Sequence, residues 1–383
     1  MMIGRALVAV SMLLAVTAPA APAEAAEPAK CLPERGTLTI GESWAQRRFN
    51  LPDVWQLTRG AGVTVAVIDS GLNTGHPQLT RAGAYEVTGT GTRDCFGHGT
   101  AVAGIIGAAP TKGSPFVGVA PAAKLISIKH TDDRQGDVGR LAQAIVKAVE
   151  LGADVINVSV EASNVPDLNN AVAYALSKDV VVVAAAGNTT KEDGTPVPSY
   201  PAAYPGVLSV GGAGPDGARV DSSNATTPVT VVGPGKEITS TWPFRAYKEG
   251  LVGTSFAAPY VAGTVALVRS RYPELTNAEV VRRIALTADG GSGTGTGAGM
   301  VNPLLAVSAI LPSETVALAP QEPAPLAADA IRPAPPVDSQ SISIAVWVAL
   351  LSLMTAVVVT LGSVAIPLGR RRRWRPGTLE NGT

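Results

Sequence analysis

The chemistry of this chain is concentrated around one of its three histidines, His98, in the stretch RDCFGHGTAVAGIIG, residues 93–107. Histidine is the side chain whose unperturbed pKa suits proton transfer near neutral pH. The glycines on both sides of His98 leave room for another group to approach the ring. His98 is therefore a candidate general base. His76, on a surface turn, and His130, at a strand end, are predicted to be structural.

A carboxylate and a hydroxyl elsewhere in the chain would complete the chemistry of such a base. Asp69 ends the apolar run VAVID, and Ser255 begins a predicted helix in GTSFAAPYVAGTVALV, with Pro259 in its first turn. A serine hydroxyl is a weak nucleophile until a base takes its proton, and a carboxylate fixes the tautomer of that base. The three residues predict nucleophilic attack on an acyl group.

Asn188, in AAAGN, is the candidate for stabilising the negative charge that such an attack creates. Its side-chain amide would donate to the developing oxyanion, together with the backbone N–H of Ser255 at a helix N-terminus. An oxyanion hole of this kind is typical of acyl-transfer enzymes.

Alternating strands and helices must bring these residues together. The runs at 63–69, 124–130, 154–160 and 180–188 are almost continuously apolar, as expected of parallel strands that are covered on both faces. Helical patterns follow at 98–107, 139–152 and 167–179. This alternation predicts an α/β fold with a doubly wound, mostly parallel sheet, whose ligand site lies beyond the carboxyl ends of the strands.

The first 25 residues are predicted to be a secretory signal peptide, because Arg5 is followed by a short apolar run and then by A-x-A patterns. The chain has only two cysteines, Cys31 and Cys95, and both follow this signal. In an oxidising compartment one disulfide between them is expected, with two free thiols as the alternative. Too few other Cys and His residues are present for a structural zinc site.

The C-terminal part indicates a membrane anchor. Residues 312–340 are rich in proline and alanine and are predicted to be a semi-extended linker. Residues 341–368 carry no charge and are long enough to span a bilayer. The Arg-rich tail, 369–383, is then expected in the cytoplasm, with the rest of the mature chain outside the cell. The 30 basic residues balance the 30 acidic ones, which argues against nucleic acid as a partner.

The motifs VIDSG, GHGT, AAGN and GTSFAAP, in this order, resemble those of the subtilisin-like serine proteases. The similarity covers residues 44–311. It implies hydrolysis of peptide bonds in a protein substrate, with Asp69 orienting His98, His98 acting as base and then as acid, and Ser255 attacking. Asn188 would stabilise the oxyanion.

The order of signal peptide, protease domain, Pro-rich linker, membrane span and Arg-rich tail resembles that of the mycosins, membrane-anchored proteases of type VII secretion systems. This resemblance implies a secretion complex as a partner. It also implies that the segment around Cys31 wraps the catalytic domain and is held near the active site. The extension at 26–43 is too short to fold as a separate inhibitor, and we expect it to stay attached.

The chain departs from many subtilases at the end of the third predicted strand, at Ser159, Val160 and Glu161, where that strand is expected to pair with a substrate peptide. Glu161 stands where glycine is common. Its carboxylate would favour a basic residue in the substrate, crowd the cleft, or be a solvated charge at a loop edge. The loop GAAPTKGSPFVGVAP carries no carboxylate, so we expect no required metal or other cofactor.

Three functions remain compatible with these observations. The first is an active, membrane-tethered endopeptidase that acts on secreted proteins. The second is a structural component of a secretion complex, in which the protease fold mainly holds partner proteins. The third is a general protease of the cell surface.

Overall fold

The structure is a computed structural model, and it describes residues 31–79, 82–132, 136–188, 197–291, 293–312, 314 and 339–372. The predicted signal peptide, most of the predicted linker and the tail beyond residue 372 lie outside the described residues. The chain divides into two units, the first up to Ala317 and the second from Leu318 onward. The first unit contains the sheet and all the predicted site residues.

Parallel strands form the centre of the first unit. The strands are β1 (Thr64–Asp69), β2 (Gly83–Glu86), β3 (Lys124–Lys129), β4 (Val155–Val158), β5 (Val181–Ala185), β6 (Leu208–Ala213), β7 (Val231–Pro234), β8 (Ile238–Trp242) and β9 (Ala246–Leu251). Seven of them form one sheet in the order β2-β3-β1-β4-β5-β6-β7, and each neighbouring pair is parallel. Strands β8 and β9 form a separate antiparallel hairpin. The predicted parallel α/β sheet is confirmed.

Helices cover both faces of this sheet. The helices of the first unit are α1 (Trp44–Phe49), α2 (Leu51–Leu57), α3 (His98–Gly107), α4 (Val138–Glu150), α5 (Pro166–Ser177), α6 (Thr254–Arg271), α7 (Asn277–Leu286) and α8 (Pro303–Ser308). In β1, Val65 and Val67 face the core that contains α3 and α6, whereas Ala66 and Ile68 face the core that contains α4 and α5. Two apolar faces on each strand explain why its sequence is continuously apolar.

Two predicted strands are shorter in the structure than in the sequence analysis. Strand β4 ends at Val158 and β5 ends at Ala185, and their last paired residues are Val158 and Ala184. Beyond these residues the segments that follow β4 and β5 no longer pair with each other. Residues 159–161 and Asn188 therefore lie in the segments that follow the strands, at the carboxyl edge of the sheet.

Helix α6 runs through the centre of its core, and nearly all of its residues are buried. It begins at Thr254, so Pro259 is its sixth residue, and the prediction that this proline lies in the first turn is wrong. Proline has no N–H to donate to the carbonyl four residues earlier. The carbonyl of Ser255 thus lacks the usual hydrogen bond within the helix.

The second unit contains one described helix, α9 (Ser339–Arg371). Its apolar window has a mean hydropathy of 2.5, and none of this window is buried within the protein. Length and composition make α9 a candidate membrane span, which covers the predicted span and extends beyond it at both ends.

Candidate active site

A chain of hydrogen bonds joins the three residues predicted to be catalytic. His98 Nδ1 lies 2.8 Å from Asp69 Oδ1 and 3.0 Å from Oδ2. On the other side of the ring, His98 Nε2 lies 2.9 Å from Ser255 Oγ. Asp69 is buried, whereas His98 is only partly so. In this arrangement Nδ1–H donates to the carboxylate and Nε2 is free to accept the proton of the serine hydroxyl.

The position of Asp69 follows from the topology of the sheet. Strand β1 lies between β3 and β4. The chain continues from β1 to β2 and β3 on one side of β1 and then crosses to β4 on its other side. Ligand sites in open α/β sheets lie beyond the carboxyl end of such a strand. Asp69 is the last residue of β1, and its Oδ1 also accepts the backbone N–H of Ser70 at 2.8 Å.

Buried acceptors hold the start of the helix that carries His98. Asp94 accepts hydrogen bonds from the backbone N–H groups of Gly97 at 2.7 Å and Thr100 at 2.8 Å. Ser70 Oγ accepts the N–H of Gly99 at 3.0 Å. These bonds satisfy donors that a helix N-terminus leaves free. Gly97 itself has φ 93°, a left-handed conformation that glycine adopts without strain.

The surroundings of His98 set its protonation. Burial of the imidazole lowers its pKa, but the negative charge and hydrogen bond of Asp69, with a further contribution from the charge of Asp94, outweigh this effect. The pKa of His98 is therefore raised above its ordinary value of 6.5. The ring of Phe256 packs beside the imidazole, with centroids 5.0 Å apart. A base with a raised pKa accepts a proton more readily.

Asn188 lies next to the N-terminus of α6. Its Oδ1 accepts the backbone N–H of Thr254 at 3.0 Å, which leaves Nδ2 on the opposite side of the amide. Asn188 Nδ2 donates to Oε1 of Glu161 at 3.2 Å, and the backbone N–H of Asn188 donates to the same oxygen at 2.7 Å. The structure thus brings Asn188 close to Ser255 and connects it with Glu161.

An open cavity of about 910 Å³ lies over these residues, and Ser159, Val160 and Glu161 form part of its lining. Leu32 to Glu34, which belong to the segment around Cys31, also line this cavity. We call residues 31–37 the N-terminal strap.

Covalent and polar contacts hold the N-terminal strap against the first unit. Cys31 and Cys95 form the predicted disulfide, and Cys95 lies three residues before His98. Trp242 Nε1 donates to the carbonyl of Glu34 at 2.7 Å, and the Glu34 carboxylate pairs with Lys248. Thr37 forms an antiparallel bridge with Tyr247. The expectation that this segment is held near the predicted catalytic residues is confirmed.

The other two histidines lie outside the hydrogen-bonded chain. His76 is fully buried, so the prediction of a surface position is wrong: its turn packs beneath the β8–β9 hairpin, and its Nε2 lies 3.2 Å from the carbonyl oxygen of Ala246. Burial lowers the pKa of His76 to about 4, despite the opposing bond to Ala246. His130 is buried directly after β3. Within the described ranges, no three His, Cys, Asp or Glu side chains cluster closely enough to hold a metal.

Sequence reasoning missed Asp94 and the contact between Glu161 and Asn188. A signal for Asp94 was available, because it precedes the helix start at His98 by four residues, and aspartate commonly closes turns by accepting backbone N–H groups. No local signal connects Glu161 with Asn188, since 27 positions separate them in the sequence.

Comparison with known proteins agrees with this fold. The sequence model of the subtilase family (Peptidase S8) matches residues 60–302. Subtilisin E of Bacillus subtilis is 38% identical over 60% of this chain and 61% of that protein. The protein is a subtilisin-like serine endopeptidase.

A narrower group of relatives matches more of the chain. Mycosin-4 of Mycobacterium tuberculosis is 38% identical over 87% of this chain and 83% of that protein. The solved structure of the MycP3 protease from the type VII (ESX-3) secretion system is 36% identical, with a TM-score of 0.64, and the match covers 72% of this chain and 92% of that one. Within the subtilase family, the chain belongs to the mycosins.

Proposed function

We propose that Asp69, His98 and Ser255 are the catalytic residues of this endopeptidase and that it serves a type VII secretion system at the outer face of the membrane. The observation that carries the catalytic assignment is the continuous hydrogen-bonded chain from Asp69 through His98 to Ser255. A nucleophile, a base and an orienting carboxylate in this order make a serine hydroxyl reactive.

The reaction begins when Ser255 Oγ attacks the carbonyl carbon of the scissile peptide bond while His98 Nε2 takes the hydroxyl proton. The imidazolium that forms is stabilised by the carboxylate of Asp69, 2.8 Å from Nδ1. His98 then gives its proton to the leaving amine, and an acyl group remains on Ser255. Water, deprotonated by the same imidazole, releases the acyl group and restores the hydroxyl.

The negative charge of the tetrahedral intermediate is stabilised at the N-terminus of α6. The backbone N–H of Ser255, the second residue of this helix, is one donor, and Asn188 Nδ2 is the other. Fixed donors need no reorganisation when the charge develops, and for this reason they lower the barrier. The bond from Thr254 N–H to Asn188 Oδ1 fixes the orientation of the amide and leaves Nδ2 as the atom that can donate to the oxyanion.

The substrate binds in the cavity above these residues. Ser159, Val160 and Glu161 follow the end of β4 and line the same cavity as Ser255. Their backbone extends from a strand at the carboxyl edge of the sheet, which suits hydrogen bonding to an extended peptide.

The catalytic assignment is tested with the full-length protein in detergent. Diisopropyl fluorophosphate should label Ser255 and abolish cleavage of a fluorogenic peptide. The variant Ser255→Ala should not be labelled, and its peptide cleavage should be lower on the order of 10⁶-fold, the size known for subtilisin. Ser270→Ala is the matched control, because Ser270 lies near the other end of α6 and bonds to Ala61. Full activity in Ser255→Ala would refute the assignment.

The predicted signal peptide and the apolar helix α9 support an external catalytic domain and a cytoplasmic C-terminus. Arginines cluster in and after the last turn of α9, and such clusters are retained in the cytoplasm. Protease added to spheroplasts should degrade the catalytic domain and spare a tag attached at Thr383. A tag that is digested from outside contradicts this orientation.

The role in secretion is supported by the mycosin relatives, since MycP1 is called an essential component of the type VII (ESX-1) secretion system. For this chain, a structural role in such a complex is the second candidate, favoured by that description of MycP1 as a component. Secretion in cells carrying Ser255→Ala, compared with a deletion strain, separates the two. If the Ser255→Ala strain secretes and the deletion strain does not, the structural role is supported. If both strains lose secretion equally, proteolysis is the essential function. If both strains secrete equally, the protein has no link to secretion.

A further inference from the structure

The carboxylate of Glu161 is bound to the residue that we assign to the oxyanion hole. Glu161 Oε1 accepts the backbone N–H of Asn188 at 2.7 Å and its side-chain Nδ2 at 3.2 Å. On the other side, Asn188 Oδ1 accepts the N–H of Thr254 at 3.0 Å. An amide nitrogen of asparagine has two hydrogens. One hydrogen of Nδ2 therefore points at a carboxylate, and the other remains for a substrate oxygen.

The backbone at Gly187 makes this contact possible. A Cβ at this position would lie 3.1 Å from Glu161 Oε2 and 2.8 Å from the Cβ of Ser199. Gly187 also has φ 94°, which side chains rarely adopt. The turn after β5 thus leaves space that the Glu161 carboxylate partly fills.

The charge of Glu161 opposes the charge that catalysis creates. An oxyanion at hydrogen-bond distance from Asn188 Nδ2, about 2.9 Å, lies within roughly 6 Å of Glu161 Oε1. Two negative charges at this separation repel each other. The repulsion is present in the transition state and absent from the free enzyme, so it slows the chemical step.

A positive charge from the substrate would cancel this repulsion. The residue whose carbonyl Ser255 attacks has its carbonyl oxygen beside Asn188, so its side chain begins within a few ångströms of Glu161. Lysine and arginine carry their charge at the end of long side chains that span this separation. No cation pairs with Glu161 in the part of the chain that the structure describes, and its side chain is exposed to solvent.

We propose that Glu161 determines specificity by coupling recognition of a cationic side chain to the oxyanion hole. Peptides with lysine or arginine on the N-terminal side of the scissile bond neutralise Glu161 and are cleaved efficiently. Peptides with a neutral residue there are cleaved more slowly, because the carboxylate of Glu161 then repels the oxyanion. The proposal rests on the proposed function, because Glu161 acts here through Asn188 on the reaction of Ser255.

The test uses the full-length protein and two peptide p-nitroanilides that differ only in lysine or leucine before the anilide. The wild-type protein should prefer the lysine substrate by about tenfold or more in kcat/KM. Glu161→Gln keeps an acceptor for Asn188 but removes the charge. It should abolish the preference and raise kcat for the leucine substrate on the order of tenfold, the effect of one unit charge at this range. The matched control, Glu150→Gln, removes a carboxylate on α4 that pairs with Lys147, and the preference should remain.

Two results would overturn the proposal. One is a lysine-to-leucine ratio that is equal in the wild-type protein and Glu161→Gln. The other is a lower kcat for the leucine substrate in Glu161→Gln, since that outcome assigns Glu161 only to holding Asn188 in place.

The rate of labelling by diisopropyl fluorophosphate separates this inference from the proposed function. The reagent is neutral, and its phosphoryl oxygen occupies the same donors, so Glu161→Gln should be labelled faster than the wild-type protein. Equal labelling of Ser255 in both proteins rejects the inference and leaves the catalytic assignment intact. Absence of labelling at Ser255 in the wild-type protein rejects the catalytic assignment, and the inference with it.

Discussion

The buried carboxylate of Asp94 accepts two hydrogen bonds from Thr100, from the backbone N–H at 2.8 Å and from the hydroxyl at 2.6 Å. Its other oxygen accepts the N–H groups of Phe96 at 3.0 Å and Gly97 at 2.7 Å. Asp94 thus joins the turn before His98 to the first turn of α3. We therefore expect the orientation of the His98 imidazole to depend on Asp94.

Asp94→Asn should therefore destabilise the protein and reduce its activity. Asparagine has a single acceptor oxygen, so its NH₂ group would face at least two of the five donors that now bind the carboxylate, one of which is the Ser70 hydroxyl. Buried donors without partners cost about 2–4 kcal/mol in total, measured as a lower free energy of unfolding in urea. Asp216→Asn is the control, because Asp216 is exposed and accepts only the N–H of Ala218 at 3.1 Å among the described residues. Equal stability of the two variants would contradict this role of Asp94.

The pH dependence of activity should follow the raised pKa of His98. Protonated His98 cannot accept the proton of Ser255, so kcat/KM falls as the pH drops through the pKa of the folded protein, which lies above 6.5. Asp69→Asn removes the charge that raises this pKa and should move the midpoint to lower pH. An unchanged midpoint in Asp69→Asn would show that another group titrates.

The raised pKa of His98 also makes the stability of the fold depend on pH, but stability falls as the pH rises, whereas activity falls as the pH drops. A pKa that is higher in the folded state means that the fold binds the proton more tightly than the unfolded chain does. The resulting stabilisation is fully present below the unfolded pKa of His98 and is lost as the pH rises through the folded pKa.

Asn188→Ala should lower kcat on the order of 10²–10³-fold, the effect known for the corresponding loss of a donor in subtilisin. KM should change little, because the lost donor acts mainly on the transition state. Asn169→Ala, at an exposed position on α5, serves as the control in the same peptide assay. A change confined to KM would instead place Asn188 in ground-state binding.

The disulfide should contribute to the stability of the catalytic unit and hold the N-terminal strap. Cys31 and Cys95 are 64 positions apart, and a loop of this length stabilises a fold by up to about 4 kcal/mol. Cys31→Ser should lower the Tm on the order of 10 °C under oxidising conditions. Reductant should lower the Tm of the wild-type protein similarly, whereas an unchanged melting curve would rule out a stabilising bond.

The sequence by itself determined the fold class and the identity of the residues that meet in the site. Apolar runs such as the one that ends at Asp69 identify buried parallel strands, and the small-residue patterns after His98 and Ser255 identify helix starts. These signals are local, because strand burial and helix initiation depend on neighbouring residues. Strand topology then places Asp69 at the edge of the sheet where ligands bind.

Only the tertiary structure decided the contacts between segments that are distant in the chain. His76 proved to be buried because the β8–β9 hairpin covers its turn, and the bond from Asn188 to Glu161 depends on where the segments after β4 and β5 meet. Such contacts follow from the packing of whole elements rather than from residue type, and a shift of a few ångströms in that packing would remove them, since hydrogen bonds require separations near 3 Å.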